Sequence, residues 1–151
     1  MKLDEIDRNI LKELQTSGRE SASHIAEKNN VSVPTVTERI RKLQDSGVIL
    51  GFQAIVDPSA VGLDVAAIIT IISGSSQYYK EVTAVAEETR EVVQCFSTTG
   101  NGSHTLLVTT KNSNTLEELL RTIQSWPGVI RTETQIILSS YKTGTTIPIP
   151  D

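Results

Sequence analysis

Residues 28–49 read KNNVSVPTVTERIRKLQDSGVI. Val33, Val36, Ile40 and Leu43 recur at helical spacing and predict one inward stripe. Pro34, Thr35, Thr37, Glu38, Arg41 and Lys42 point away from that stripe, with Arg39 at its flank. Ser32 is placed to cap this helix. Pro34 falls in the first turn, where a missing N–H costs nothing. Gly47 ends the helix. The outer set mixes hydroxyls and cations, which suits a helix lying in the major groove of DNA. Threonines there can hydrogen-bond phosphates or base edges. Arg39, Arg41 and Lys42 can neutralise phosphates, or one arginine can grip a guanine. A plainer reading competes: Glu38 and Lys42 stand four apart in the favourable order, and Asp45 shares their face, as on any solvated helix.

The residues before this helix weigh against the plainer reading. Asp4 can cap a first helix whose inner face carries Ile6, Ile10, Leu11 and Leu14. Gly18 is placed to end it. Ser21 can cap a second helix, ASHIAEKN, with Ile25 and Ala26 inward. Asn29-Asn30 then makes a tight turn, since asparagine tolerates the left-handed conformation. Three short helices with a tight turn before the third make a helix-turn-helix, here spanning Ala22 to Arg41. The free N–H groups at the start of the third helix add an attraction for phosphate.

Charge separates the chain into two parts. Residues 1–50 hold eight Lys/Arg and eight Asp/Glu, whereas residues 51–151 hold six and ten, so the net charge of −4 lies in the second part. For DNA, the placement of the cations matters more than the total. The stretch VILGFQAIVDP reads as a wing or connecting strand, and the joint falls near Asp57-Pro58. From Leu63 the order becomes strand, helix, strand, strand, helix, strand. VAAIITIIS, EVVQCFSTTG, HTLLVTTK and VIRTETQIIL supply the strands; residues 77–89 and TLEELLRTIQS, capped by Ser113, supply the helices. The spacing that separates Ser76 from Ser113 also separates Val82 from Leu119 and Val92-Val93 from Val129-Ile130. This echo fits two βαβ-like halves of a split-βαβ plan.

The fold expected is therefore α+β: a winged helix-turn-helix over residues 1–57, then a ferredoxin-like βαββαβ sandwich over 63–142. The tail 143–151 is expected to be loose. A sheet of this kind leaves one face without helices, so the second domain is expected to pair two copies.

Other classes fit less well. The start, MKLDEIDRN, lacks the apolar core of a signal peptide, and the apolar run 65–72 is too short to span a bilayer. One cysteine, Cys95, rules out an intramolecular disulfide and a cysteine zinc cluster, and a reducing cytoplasm is the default. No nucleophile elbow, phosphate loop, HExxH or supported Cys–His pairing marks an enzyme. Cys95 and Trp126 read as packing residues, and His24 as a surface residue on the second helix.

Taken in order, these parts resemble the N-terminal half of the Lrp/AsnC family of transcription regulators, the leucine-responsive or feast/famine proteins. The resemblance is carried by D-x-x-D-x-x-I-L (Asp4, Asp7, Ile10, Leu11), by S-x-x-T-V-x-x-R-I-x-x-L (Ser32 to Leu43), by Gly47-Val48-Ile49 and by the Asp57-Pro58…Gly62 joint. TTG at 98–100 and PGV at 127–129 extend it through the second half. It implies a double-stranded-DNA-binding regulator acting as dimers that assemble further, commonly to octamers, with an amino acid held between second domains and no other cofactor. The candidate DNA contacts are Ser21, Ser32, Pro34, Thr35, Thr37, Glu38, Arg39, Arg41 and Lys42. The candidate effector contacts are Thr99, Gly100, Asn101, Gly102, Ser103, His104 and Thr134, with no metal site.

Members often carry G-x-x-D in the turn after the second strand of that domain. Here Gly100, Asn101 and Gly102 lead to Ser103. A serine hydroxyl holds an ammonium group more weakly than a carboxylate does. The loop then serves a different ligand, or none, or is an ordinary hairpin turn. His104 is read as a pocket polar group or a half-exposed strand residue.

Overall fold

The computed structural model describes all 151 residues. The chain forms two compact units, Met1–Ile55 with Lys142–Asp151, and Val56–Tyr141.

The first unit holds α1 (Glu5–Thr16), α2 (Ala22–Asn29) and α3 (Val33–Asp45). Asp4 and Asp7 close a capping box at the start of α1, each carboxylate accepting from the other's backbone N–H. The helix ends at Thr16 with Ser17 as its cap, ahead of the expected stop at Gly18. Ser21 caps α2, and Asn30 terminates it at φ 52, the left-handed turn. Ser32 caps α3, and Gly47 follows its end at φ 73. Ile10, Leu11, Ile25, Ala26, Val36 and Leu43 form one buried core, the three helices each contributing two residues. Val33 departs from the expected stripe: it is 43% exposed, because the first turn of α3 projects beyond the core and burial begins at Val36.

Two further segments differ from expectation. The stretch expected as a wing strand is irregular chain without sheet partners, and Leu50 is 95% exposed. A single β-rich segment cannot satisfy its backbone as a strand without a neighbour. The tail expected to be loose is tied down. The Gln15 side chain donates to the Ile147 carbonyl at 3.0 Å and accepts from its N–H at 2.8 Å. Ile149 packs against the three-helix core. The threonines, glycine and prolines of the tail masked that apolar anchor.

The second unit runs β1 (Val65–Ser73), α4 (Tyr79–Glu88), β2 (Val92–Ser97), β3 (His104–Thr110), α5 (Ser113–Gln124) and β4 (Val129–Ile136). The strand order is β2-β3-β1-β4 with every neighbour antiparallel, the ferredoxin-like arrangement. The cap of α5 is Asn112, one residue before the serine expected. On one face Ala67, Ile69 and Ile71 of β1 and Leu106 and Val108 of β3 meet Val82 and Ala86 of α4 and Leu116, Leu119 and Ile123 of α5. Burying each larger aliphatic contributes about 1.5–3 kcal/mol. Trp126 joins this core, as its place after α5 suggests, and Cys95 packs at its margin. The other face carries Ile68, Thr70 and Ile72 of β1 with Leu107 of β3, all half-buried, and Phe96 of β2, which is exposed. No helix of the chain is long and apolar enough to cross a membrane.

Candidate functional site

The outer face of α3 is built of ion pairs. The Arg41 guanidinium donates from Nε and Nη2 to both oxygens of Glu38, at 3.0 and 2.8 Å. Its Nη1 donates to Asp45 at 2.6 Å. Lys42 stands 3.6 Å from Glu38. The Arg41 fork, with help from Lys42, holds the Glu38 carboxyl below its ordinary range. These side chains are about half exposed, so the pairs exchange readily with water or another ligand. Glu38, Lys42, Thr35, Asp7, Arg39 and Met1 line an open pocket of about 390 Å³.

Arg39 does different work from Arg41. Its Nη1 donates to both oxygens of Asp4, at 2.8 and 2.7 Å, and to Asp7 at 2.8 Å. Asp7 is 4% exposed. The bond from Arg39 holds the Asp4 carboxyl below its usual value, and Asp4 and then Asp7 raise the arginine. Arg39 therefore fastens α3 to the N-terminus of α1. The D-x-x-D opening is thus both a helix cap and the acceptor for an arginine 32 residues beyond Asp7.

The hydroxyls are committed as well. Ser21 and Ser32 accept from His24 and Thr35 N–H as caps. The Thr35 hydroxyl lies 2.7 Å from that of Ser32. Thr37 donates to the Val33 carbonyl at 3.1 Å. Each keeps acceptor capacity for an incoming group. Arg19, two residues before the α2 cap, is an exposed cation with no ion-pair partner.

The second candidate site lies in the loop between β2 and β3. Thr99, Gly100 and Asn101 are exposed at its tip, with Gly100 at φ 105. Gly102 presses against β1: a Cβ there would stand 2.3 Å from Thr70 Cγ2 and 2.9 Å from the Ile71 carbonyl oxygen. Ser103 donates its N–H to the Ile71 carbonyl at 2.9 Å. Its hydroxyl lies 2.9 Å from Ser73 Oγ and 2.8 Å from His104 Nδ1. His104 is 1% exposed and meets the Tyr79 ring edge-on, so it is not a half-exposed strand residue. Burial holds its pKa below the ordinary histidine value. Thr134 is not brought to this loop; it lies on β4 opposite Ile69, two strands from β3, and is exposed. Ser73 and Tyr79 were not legible as partners, since only the pairing of β1 with β3 brings Ser73 to Ser103, and only the packing of α4 on the sheet brings Tyr79 to His104. No cluster of His, Cys, Asp and Glu side chains is placed to hold a metal ion.

A capped three-helix unit with a cationic outer helix, followed by a ferredoxin-like domain, defines a helix-turn-helix regulator with an appended regulatory module. Residues 3–44 match the AsnC-type helix-turn-helix domain and residues 65–147 the Lrp/AsnC ligand binding domain. The chain belongs to the Lrp/AsnC family of transcription regulators. It is 40% identical over 147 residues to the HTH-type transcriptional regulator FL11 of Pyrococcus horikoshii, covering 97% of each chain. The solved structure of Escherichia coli AsnC is 31% identical with a TM-score of 0.91, covering 98% of this chain and 100% of that one. A feast or famine regulatory protein from M. tuberculosis complexed with L-methionine is 34% identical, also with a TM-score of 0.91, covering 97% of this chain and 99% of that one.

Proposed function

We propose that this regulator binds near-palindromic double-stranded DNA as a dimer or larger assembly, up to an octamer, under the control of an amino acid. The observation that carries the DNA assignment is the outer face of α3, where Arg41 and Lys42 are held only by exposed acids that phosphates can replace. Ser21, Ser32, Pro34, Thr35, Thr37 and Glu38 complete the contact set, and Arg19 adds a phosphate contact. Arg39 serves by holding α3 in place. The half-buried Ile68, Ile72 and Leu107 and the exposed Phe96 support pairing of two copies through the open sheet face. Two such copies place their α3 helices on half-sites about one helical turn, or a multiple, apart. Acting on the chromosome places the protein in the prokaryotic cytoplasm, among nucleoid-associated proteins.

For the effector, the methionine complex of the M. tuberculosis relative supports an amino acid held near Thr99 to His104. The backbone N–H groups of Gly100 to Gly102 suit a carboxylate. A second reading, an effector-independent regulator, is favoured by Ser103: its hydroxyl is turned inward to Ser73 and His104 and leaves no carboxylate at that position for an ammonium group.

Gel shifts with genomic fragments across a salt series test the DNA assignment. Sequence-selective binding that weakens steeply with salt is expected; no selectivity in dilute salt overturns it. Sizing by light scattering tests assembly, and a purely monomeric protein refutes pairing. A thermal-shift screen of the amino acids separates the two effector readings: stabilisation by one of them supports the sensor, and silence across the set supports the effector-independent regulator.

A further inference from the structure

The acid at the centre of α3's outer face needs an explanation. Glu38 is the sixth residue of α3 and lies on the face that carries Thr35 and Lys42. Against phosphates alone, a carboxylate there is repulsive. In the free chain two bonds from the Arg41 fork direct its carboxylate along the outer face. A carboxylate only accepts hydrogen bonds. The major groove offers it amino donors on cytosine and adenine, and adenine places its N7 acceptor beside the amino group. The guanine paired with a cytosine presents O6 and N7, the acceptors an arginine fork fits. Arg41, beside Glu38, still has two N–H groups beyond its three bonds.

We propose that the Glu38–Arg41 pair reads one C·G base pair as a unit, Glu38 accepting from the cytosine N4 amino group while Arg41 turns to the guanine of the same pair. This rests on the DNA-binding assignment and adds to it the base that α3 selects. Asp45 is the group Arg41 leaves when it reaches for the guanine.

The test is selection from random duplexes with the full-length wild-type protein, Glu38→Gln and Glu38→Ala, followed by affinity measurements on the selected operator. Circular dichroism checks folding, and Glu38 is exposed enough for both variants to fold. Wild type is expected to require C·G at one position of each half-site. Glu38→Ala is expected to lose that requirement and to keep the remaining positions. Placing N4-methylcytosine there, which blocks the groove-facing donor but keeps the pair, is expected to cost wild type on the order of 10-fold and Glu38→Ala nothing. The inference is overturned if Glu38→Ala selects the same bases as wild type at every position, or selects them with a merely higher affinity for all DNA. Wild type selecting no sequence at all would refute the DNA-binding assignment itself, a result distinct from the first two.

Discussion

Two polar constellations in this protein are built on opposite principles. On α3 the groups are charged, exposed and paired with one another: Arg41 with Glu38 and Asp45, Lys42 with Glu38. Where the end of β1 meets the start of β3 they are neutral and shielded: half-buried Ser73 and buried Ser103 and His104 share hydrogen bonds beneath Tyr79. Exposed pairs contribute little to stability because water competes for them at small cost, which leaves them free to be traded for phosphates and base edges. Buried neutral groups cannot be released without leaving unsatisfied donors and acceptors, so they fix a loop in one shape. The first arrangement suits a surface that exchanges partners. The second suits a support that holds one conformation.

The comparison breaks most forcefully at Gly102. A Gly102→Ala variant places a methyl into Thr70 and the Ile71 carbonyl, and overpacking of this kind costs about 1–3 kcal/mol. Urea denaturation followed by fluorescence is expected to show that loss, and an unchanged midpoint would mean the loop is not held against β1. Arg39→Ala tests whether the one charged group bridging α1 and α3 belongs with the structural set. It leaves the buried Asp7 without its cation, and a fall in melting temperature of about 2–4 °C is expected, with weakened DNA binding as a consequence. If the melting temperature holds and only DNA affinity falls, Arg39 contacts the duplex directly.

Asp45→Asn sharpens the comparison from the other side. It frees Arg41 Nη1 without touching the core, so stability should hold while DNA affinity rises roughly 2–10-fold and the salt slope steepens by about 1. Titration calorimetry at several salt concentrations reads both quantities, and unchanged affinity would place Arg41 outside the interface. The mildest effect concerns pH. Burial lowers the folded pKa of His104, so the unfolded chain takes up its proton more readily. Stability attributable to this group is therefore complete above the ordinary histidine value of about 6.5 and declines as pH falls through that value towards the lower folded pKa. Replacing His104 by Asn should flatten that part of the stability profile; an equally steep profile would assign it to other groups.

Much of this was legible in the residues alone, for an identifiable reason. Asp4, Ser21, Ser32, Asn30 and Gly47 act within one turn of their own position, so the ends of α2 and α3 and the start of α1 follow from local chemistry. The strands are legible for the same reason: the apolar run of β1 and the alternation of β4 are local properties as well. Errors arose where a residue answers to a distant one. The bonds from Arg39 to Asp4 and Asp7 escape a local reading because those partners lie at the start of another helix. The tail was read as loose because Gln15 and the core that receives Ile149 are far away in the chain. The burial of His104 is not legible because a strand pattern does not reveal which face a helix will cover.

The sequence by itself determined the caps, the turn before α3, the strand and helix order of the second unit and the chemical character of α3's outer face, since these depend on neighbours within a few residues. The tertiary structure alone decided which arginine fastens the fold and which remains available, and which serine and histidine are sealed beneath the β2–β3 loop. Those outcomes depend on groups up to dozens of residues apart meeting at hydrogen-bond distance, and only the folded chain specifies which groups meet.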